Sequence, residues 1–346
     1  MAAADSPTPR TTVAAIVVNW RQAELTSAAV ASLEAQSGLG EVDLAIVIVD
    51  NGSGDGSVEL LRSRHPAHRV VALENNGGFG AGVNAGIRAV DADAYVLLNN
   101  DAVAEPSFVG ALVEALSAHP HAGAVTARIV LRDRYRRLPE GAGDAGAGAA
   151  VLVGHDGGRW AVDPAGLELL NSTGNESTRS GNGRDRDWLV PVTSDARPAG
   201  PVMGFSGGAA ALRGSALAEV GLFDESLFMY YEDTDLSWRL RAAGWDIRYE
   251  PSAVVRHAHA ASSGTGSDLF RFYNERNRVL VAAKNAPVPV VVAALGRTVV
   301  ATGRAAMKAL AAGGSGAAGR EARLRLRSLR AAVTGLPGAL GERRRR

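Results

Sequence analysis

The chain has 346 residues, 46% of them hydrophobic and 21% charged, enough for one large core or two modest ones. It contains no cysteine, which excludes disulfides, thiolate metal sites and a cysteine nucleophile. A net charge of +1 conceals an asymmetry: residues 297–346 hold twelve Lys or Arg against two Glu, a surplus of +10 that leaves −9 for residues 1–296.

Residues 1–11 lack a basic stretch leading into an apolar one, so they read as a disordered start and no secretory signal is expected. Residues 12–18 (TVAAIVV) are a β-branched apolar run suited to a buried parallel strand, and 22–36 shows helical spacing at Leu25, Ala29 and Leu33. Residues 44–49 (LAIVIV) predict a second strand that ends in Asp50 and a Gly-rich loop. In an open α/β sheet ligands sit beyond the carboxyl ends of strands, so Asp50 either accepts from a base or ribose or closes an Asx turn. A third strand at 69–73 leads into NNGGFGAGVNAG from Asn75, whose glycines allow close backbone approach to a phosphate or sugar. Gly80, Gly82 and Ala85 also spell G-x-G-x-x-A with Asp101 beyond them, as in a dinucleotide fingerprint, but after the third strand rather than the first.

Residues 95–98 predict a fourth strand running into Asn99-Asn100-Asp101. A carboxylate there suits Mg²⁺ or Mn²⁺ held partly by substrate phosphates, or caps the helix that Pro106 opens. After a strand at 125–131, residues 138–200 turn rich in Gly, Ala, Asp and Ser and read as an insertion with flexible parts; Asn171-Ser172-Thr173 and Asn175-Glu176-Ser177 are glycosylation sequons by spelling only. A small-residue turn at 204–209 (GFSGGA) either lines a sugar pocket or is a plain tight turn. Glu232, Asp233 and Asp235 then crowd a helix start marked by Leu236, Leu240 and Ala243 and closed by Gly244. They form a catalytic cluster, or Asp233 is merely an N-cap favoured by the helix dipole. A strand at 246–249 precedes 253–259 (AVVRHAH), which sets His257 and His259 on one strand face where either could ligate a metal. Residues 268–284 read as a helix with Arg271, Arg276 and Arg278 available to an anion or on a solvated face. The apolar run 288–295 is far shorter than the ~20 residues that span a bilayer, so no transmembrane helix is expected. Basic residues alternate with apolar ones in 290–310 and 321–333, which suits an anionic membrane surface; the tail has no aromatic residue to stack on bases, so nucleic acid is not expected.

The order of these motifs resembles the family 2 inverting glycosyltransferases of the GT-A fold, in the branch of bacterial rhamnosyltransferases of cell-envelope assembly. It rests on VDNGS around Asp50, the glycine loop from Asn75, LLNND ending at Asp101, FSGGAAALR from Phe205, FDESLFMYYEDTDLSWRLRAAGW from Phe223 and RNR from Arg276. The resemblance implies an α/β, Rossmann-like fold with a mainly parallel central sheet over residues 12–285, carrying the 138–200 insertion, and a basic helical tail over 286–346. It implies that Asp50 contacts the base, that Asn76, Gly77, Gly80, Asn84, Asn100 and Asp101 bind nucleotide and donor, and that Asp101 and His257 hold a divalent Mg²⁺ or Mn²⁺. Asn99 stands where the D-x-D motif has its first carboxylate. Asp233 would be the catalytic base, with Ser206, Gly207, Gly208, Glu232, Asp235 and Arg276 around donor sugar and acceptor. The implied partners are a dTDP- or UDP-linked sugar, rhamnose first, and a saccharide or polyprenyl-linked acceptor. The tail would rest on the inner face of the cell membrane, with the enzyme in the cytoplasm. A dinucleotide-dependent oxidoreductase and a non-catalytic sugar-nucleotide or membrane-binding module are the alternatives.

Overall fold

A computed structural model describes residues 10–141, 151–178, 181–192, 197–258 and 267–345. The expected disordered start lies almost wholly outside them, as does His259. The chain begins β1 (Thr11–Asn19), α1 (Ala23–Glu34), β2 (Val42–Asp50), α2 (Ser57–Arg64), β3 (Arg69–Ala72), α3 (Phe79–Ala89), β4 (Ala94–Leu98), β5 (Ala102–Ala104), α4 (Phe108–Ala118) and the long β6 (Ala122–Arg137). Five short strands follow: β7 (Val151–Val153), β8 (Arg159–Val162), β9 (Leu167–Ser172), β10 (Asn175–Ser177) and β11 (Gly183–Asp185). Then come β12 (Gly200–Pro201), β13 (Ala209–Arg213), α5 (Gly214–Val220), α6 (Glu232–Ala242), β14 (Asp246–His257), α7 (Asp268–Asn285), α8 (Val288–Ala311) and α9 (Gly316–Arg345).

The main sheet runs β3-β2-β1-β4-β13-β6-β14-β12. Strands β1 to β4 are parallel, β13 is antiparallel to both its neighbours, and β6 and β14 are parallel again. Helices cover both faces, which is why β1 has no polar alternation. Val13, Ala15 and Val17 pack into one core with α1 and α4, while Ala14 and Ile16 pack into the other with α3, α5 and α6. Residues 246–249 and 253–257, expected as separate strands, are one strand with a register shift between Glu250 and Val254, where Pro251 cannot donate to the ladder.

Within the 138–200 insertion, β8 and β9 extend the main sheet along β6, around a small core of Leu131, Tyr135, Trp160, Leu169 and Leu189. The expected basic helical tail is present as α8 and α9, packed as a layer on α7. Leu280 and Ala283 meet Ala339 of α9, Ala282 and Ala286 meet Ala294 of α8, and Arg325 pairs with Glu275 at 2.5 Å. The apolar run at its start also proves longer than expected. Helix α8 has 24 residues, about 36 Å at 1.5 Å per residue, and is long and apolar enough to cross a membrane by length and composition. Most of it is exposed, including Val288, Val292, Val299, Met307 and Leu310.

Candidate active site

The loops at the carboxyl ends of β1, β2 and β4 and the start of α6 converge on one cleft, as open α/β sheets arrange their sites. Asp233 sits in the first turn of α6, but it is not the N-cap; that position is Tyr231, at φ 73°. Its carboxylate is held from several directions. Oδ2 accepts from Asn175 Nδ2 at 2.8 Å and from the Gly207 amide at 3.0 Å, and Oδ1 accepts from the Thr234 amide at 2.6 Å and the Thr234 hydroxyl at 3.2 Å. Burial nevertheless raises its pKa above the ordinary value, against the pull of those donors. Gly207 comes this close because it has no side chain: a Cβ there would lie 3.3 Å from Phe79 and 3.6 Å from Asp233.

Burial first, then the Asp233 carboxylate beside it, pushes Glu232 up to about 8. Its Oε2 has no hydrogen-bond partner among the described residues. The folded protein therefore keeps a proton between roughly pH 4.5 and 8 that an unfolded Glu has released, so stability falls as pH rises through that window. Glu232→Gln, neutral throughout, is expected to melt higher than wild type at about pH 8 by on the order of a few kcal/mol, the gap closing toward about pH 4. Parallel melting-temperature profiles for the two proteins would show that Glu232 is not the source.

Sheet pairing assembles the second acid site. Strand β5 runs antiparallel to β14 with Ala102 opposite His257, and Ala258 N–H donates to Asp101 O at 2.9 Å. His257 Nε2 thereby lies 2.9 Å from Asp101 Oδ1, its Nδ1 is 2.7 Å from Asn171 Oδ1, and Asn99 Nδ2 approaches Nε2 at 3.4 Å. No group of three or more His, Asp or Glu gathers for a metal among the described residues. The pair still fits a divalent cation. Neighbouring ligands of an octahedral ion with bonds of about 2.1 Å stand about 3 Å apart, and a Nδ1–H bond to Asn171 leaves the Nε2 lone pair toward Asp101. Two protein ligands leave most positions to donor phosphates and water, the usual habit of Mg²⁺. Asp185 of β11 adds another carboxylate, pushed up to about 6 by burial and by Asp233 despite the Ser172 hydroxyl.

Several expected ligand residues also make structural bonds. Asp50 is buried and accepts from Asn19 Nδ2 at 2.7 Å, Ser53 N at 3.0 Å and Ser53 Oγ at 2.6 Å, which closes the loop after β2. Asn84, also buried, donates to Phe223 O and Glu225 Oε1, both at 2.9 Å, which ties α3 to the loop ahead of α6. Asp235 is fully buried against Arg239 at 2.9 Å, Asn285 at 2.8 Å and Lys284 at 3.5 Å, and so holds α6 to α7. Gly80 lies inside α3, where an added Cβ would meet Phe223 at 3.1 Å. Because Gly80, Gly82 and Ala85 are all helical, they do not form the strand-to-helix turn of a dinucleotide site.

Other expected residues do border the cleft loops. Asn76 Oδ1 accepts from Asn51 Nδ2 at 3.1 Å and Gly78 N at 2.9 Å, and Gly77 N donates to Asn51 Oδ1 at 3.1 Å. Gly78 is required outright: at φ 88°, a Cβ would fall 2.0 Å from Phe228 O. Asn100 Nδ2 reaches Gln22 and Thr26, both at 3.4 Å. Ser206 N donates to Thr126 Oγ1 at 3.1 Å, and Gly208 O accepts from Asn99 N at 2.9 Å, which joins the 204–209 turn to the end of β4.

Arg276 donates to Ser226 O at 3.0 Å and stands over Tyr273. Its neighbour Asn277, fully buried, donates from one amide to Leu227 O, Met229 O and Tyr230 O at 2.8–2.9 Å. These bonds secure the backbone where Phe228, Tyr230 and Tyr231 all take positive φ just before Asp233. Asn277→Ala is expected to lower stability by about 1–3 kcal/mol and kcat by more than donor KM. An unaltered kcat in the folded variant would show that this bend does not position Asp233.

Asn171, Asn175, Asp185 and Asn277 were not singled out from the sequence for these roles. The first two were read only as sequon spellings, and nothing local in LELLNSTGNES signals that both turn into the cleft.

Comparison with known proteins gives the family and the fold. The family described as "Glycosyltransferase like family 2" matches residues 9–280. The chain is 32% identical over 235 residues to N-acetylglucosaminyl-diphospho-decaprenol L-rhamnosyltransferase of Mycobacterium tuberculosis (strain CDC 1551 / Oshkosh), across 65% of this chain and 69% of that one. It is 23% identical over 211 residues to poly-beta-1,6-N-acetyl-D-glucosamine synthase of Staphylococcus epidermidis, across 60% of this chain and 41% of the relative. Among solved structures, the mannosyltransferase PcManGT from Pyrobaculum calidifontis in complex with GDP-Man and Mn²⁺ matches with a TM-score of 0.51 at 17% identity, over 96% of this chain and 89% of that one. GalNAc-T7 with UDP, GalNAc and Mn²⁺ matches with a TM-score of 0.53 at 16% identity, over 80% of this chain and 48% of that one. The structural matches show the GT-A architecture, and with the family match over most of its length the chain belongs to the family 2-like glycosyltransferases.

Proposed function

We propose that the protein is an inverting glycosyltransferase that moves a sugar, with dTDP-linked rhamnose the first candidate and UDP-linked sugars next, onto a polyprenyl diphosphate-linked saccharide in cell-envelope glycan assembly. The observation that carries this reading is the Asp233 carboxylate, oriented by Asn175, Gly207 and Thr234 and raised in basicity by burial. A single such base suits one direct displacement with inversion at the anomeric carbon. All four acceptor sites of the carboxylate are occupied, and the Thr234 hydroxyl, at 3.2 Å the longest contact, is a rotor that an acceptor hydroxyl can displace. The acceptor proton then passes to Asp233 as the sugar–oxygen bond forms. Asp101 and His257 would hold Mg²⁺ or Mn²⁺ with the donor diphosphate; that ion supplies charge neutralisation for the leaving nucleoside diphosphate. The relative's printed name, a rhamnosyltransferase acting on a diphospho-decaprenol-linked sugar, supports the donor and acceptor. A panel of nucleoside diphosphate sugars offered with a prenyl diphosphate-linked N-acetylglucosamine tests it, with product mass and anomeric configuration as readouts. Transfer with inversion is expected; retention would overturn the single-displacement reading, and no transfer from any donor would overturn the substrate assignment.

The same reading places the enzyme in the cytoplasm on the inner face of the membrane, with α8 lying on the surface rather than crossing it. Arg297 and Arg304 stand near the middle of α8, where the bilayer centre would be most costly for them. The exposed apolar stripe of α8 and the arginines of α9 instead suit an interfacial helix layer on anionic lipid. Flotation with anionic liposomes is expected, weakened by high salt and by Val292→Glu with Met307→Glu together; unchanged flotation of that variant would remove α8 as the contact.

A further inference from the structure

Beside Tyr231, the β10–β11 hairpin and helices α7, α8 and α9 line an open cavity of about 870 Å³. Five arginines line it: Arg184 pairs with Glu176 and Arg325 with Glu275 and Glu321, and Arg278, Arg297 and Arg304 add three further positive charges. Arg278 is built in: it is buried, and it donates to Asn182 Oδ1 at 3.0 Å and Thr298 Oγ1 at 2.7 Å, both neutral acceptors. Arg297 and Arg304 follow one another seven residues apart on the cavity side of α8, two helical turns on the same face. Arginine forks gathered this way match a phosphate group bidentately, and three guanidinium groups beyond the two ion-paired ones suit an anion of more than one charge.

The cavity wall is linked to Asp233 through Tyr231 and the β10–β11 hairpin. Tyr231, two residues before Asp233, lines it and accepts from Gly183 N at 3.1 Å, while Asn175 at the other end of the hairpin bonds Asp233. Val300 of α8 is in the cavity wall, and Val292, Val299, Met307 and Leu310 form an exposed apolar stripe on the same helix. An occupant that is polyanionic in the middle, carries a hydroxyl at one end and is apolar at the other suits these surroundings.

We propose that this cavity receives the diphosphate of a polyprenyl diphosphate-linked acceptor, with its saccharide at Asp233 and its hydrocarbon chain led away along α8. The assignment rests on the acceptor class proposed above, and it makes Arg297 and Arg304 specificity determinants for the acceptor rather than general membrane contacts. Charge-assisted phosphate contacts of this kind are lost stepwise as arginines are neutralised.

The test uses the full chain and its Arg297→Gln/Arg304→Gln double variant, with two acceptors bearing the same terminal sugar, one on farnesyl diphosphate and one on an uncharged alkyl chain of similar length. Wild type is expected to favour the diphosphate acceptor at least tenfold in kcat/KM, and the double variant to lose at least tenfold of that preference, through acceptor KM rather than donor KM. Arg297→Lys/Arg304→Lys should recover part of it. Unaltered preference, an equal loss on both acceptors, or a raised donor KM would overturn the proposal, the last pointing to the donor diphosphate instead. Direct binding separates this from the functional reading. Farnesyl diphosphate should bind at least tenfold more weakly to the double variant whether or not sugar is transferred, so a lack of turnover on either acceptor defeats the acceptor class alone, and equal binding defeats the cavity. Inorganic pyrophosphate binding as tightly as farnesyl diphosphate would make this a free-phosphate site and would overturn the lipid assignment.

Discussion

Asp233→Asn is expected to cut kcat by roughly 10² to 10⁴, the usual contribution of a positioned general base, while donor binding persists. The substitution keeps the shape of the side chain and removes its ability to take a proton. The amide oxygen can still accept from Gly207 and Asn175, so the turn joining α6 to the 204–209 loop survives. Because Asp233 is not the helix cap, the stability change should be small and is measured by melting. The rate loss is measured by single-turnover transfer at saturating donor. A folded variant with near-normal kcat would remove Asp233 from proton transfer and leave its bonds to Asn175 and Gly207 as purely structural.

The second large effect concerns the divalent ion. Activity is expected to vanish in excess EDTA and return with Mg²⁺ or Mn²⁺. Asp101→Ala and His257→Ala should each raise the metal concentration needed at least tenfold, and Asn171→Ala, which removes only the group that orients His257, by a further measurable 10- to 100-fold relative to wild type. Mn²⁺ affinity in the presence of a nucleoside diphosphate, followed by electron paramagnetic resonance, gives a readout independent of turnover. Full transfer in EDTA, or normal Mn²⁺ affinity in the Asp101 and His257 variants, would show that the 2.9 Å pair is only a buried ion pair.

What could be read in the sequence was whatever depends on short-range pattern. The runs TVAAIVV and LAIVIV had to be strands covered on two faces, and the acids ahead of Leu236 had to open a helix. The GT-A architecture came from the family resemblance carried by the motifs around Asp50, Asn75, Asp101, Phe205 and Phe223. What escaped was set by pairing between distant segments. Asp50 and Asp235 look like ligands in sequence because they are carboxylates in loops and helix starts, but whether such a group faces the cleft depends on a partner far along the chain, Asn19 for one and Asn285 for the other. Asn171 and Asn175 acquire their functions only when β9 has paired with β6 and β10 has met the 204–209 turn. The length of α8 was missed because only the unbroken apolar run 288–295 was counted, whereas Gly296 and Arg297 interrupt the run without ending the helix.

The bond from Asn175 to Asp233 also bears on how new specificities arise in such enzymes. The segment that lies between β6 and β13 looks, along the chain, like an interchangeable cassette between two halves of a sheet. Yet it carries a donor to Asp233, so exchanging it for another cassette is expected to change the proposed proton-transfer step as well. Chimeras that keep Asn175 in register with Gly204 and Phe205 should remain active with altered acceptors, and those that do not should lose turnover before they lose folding.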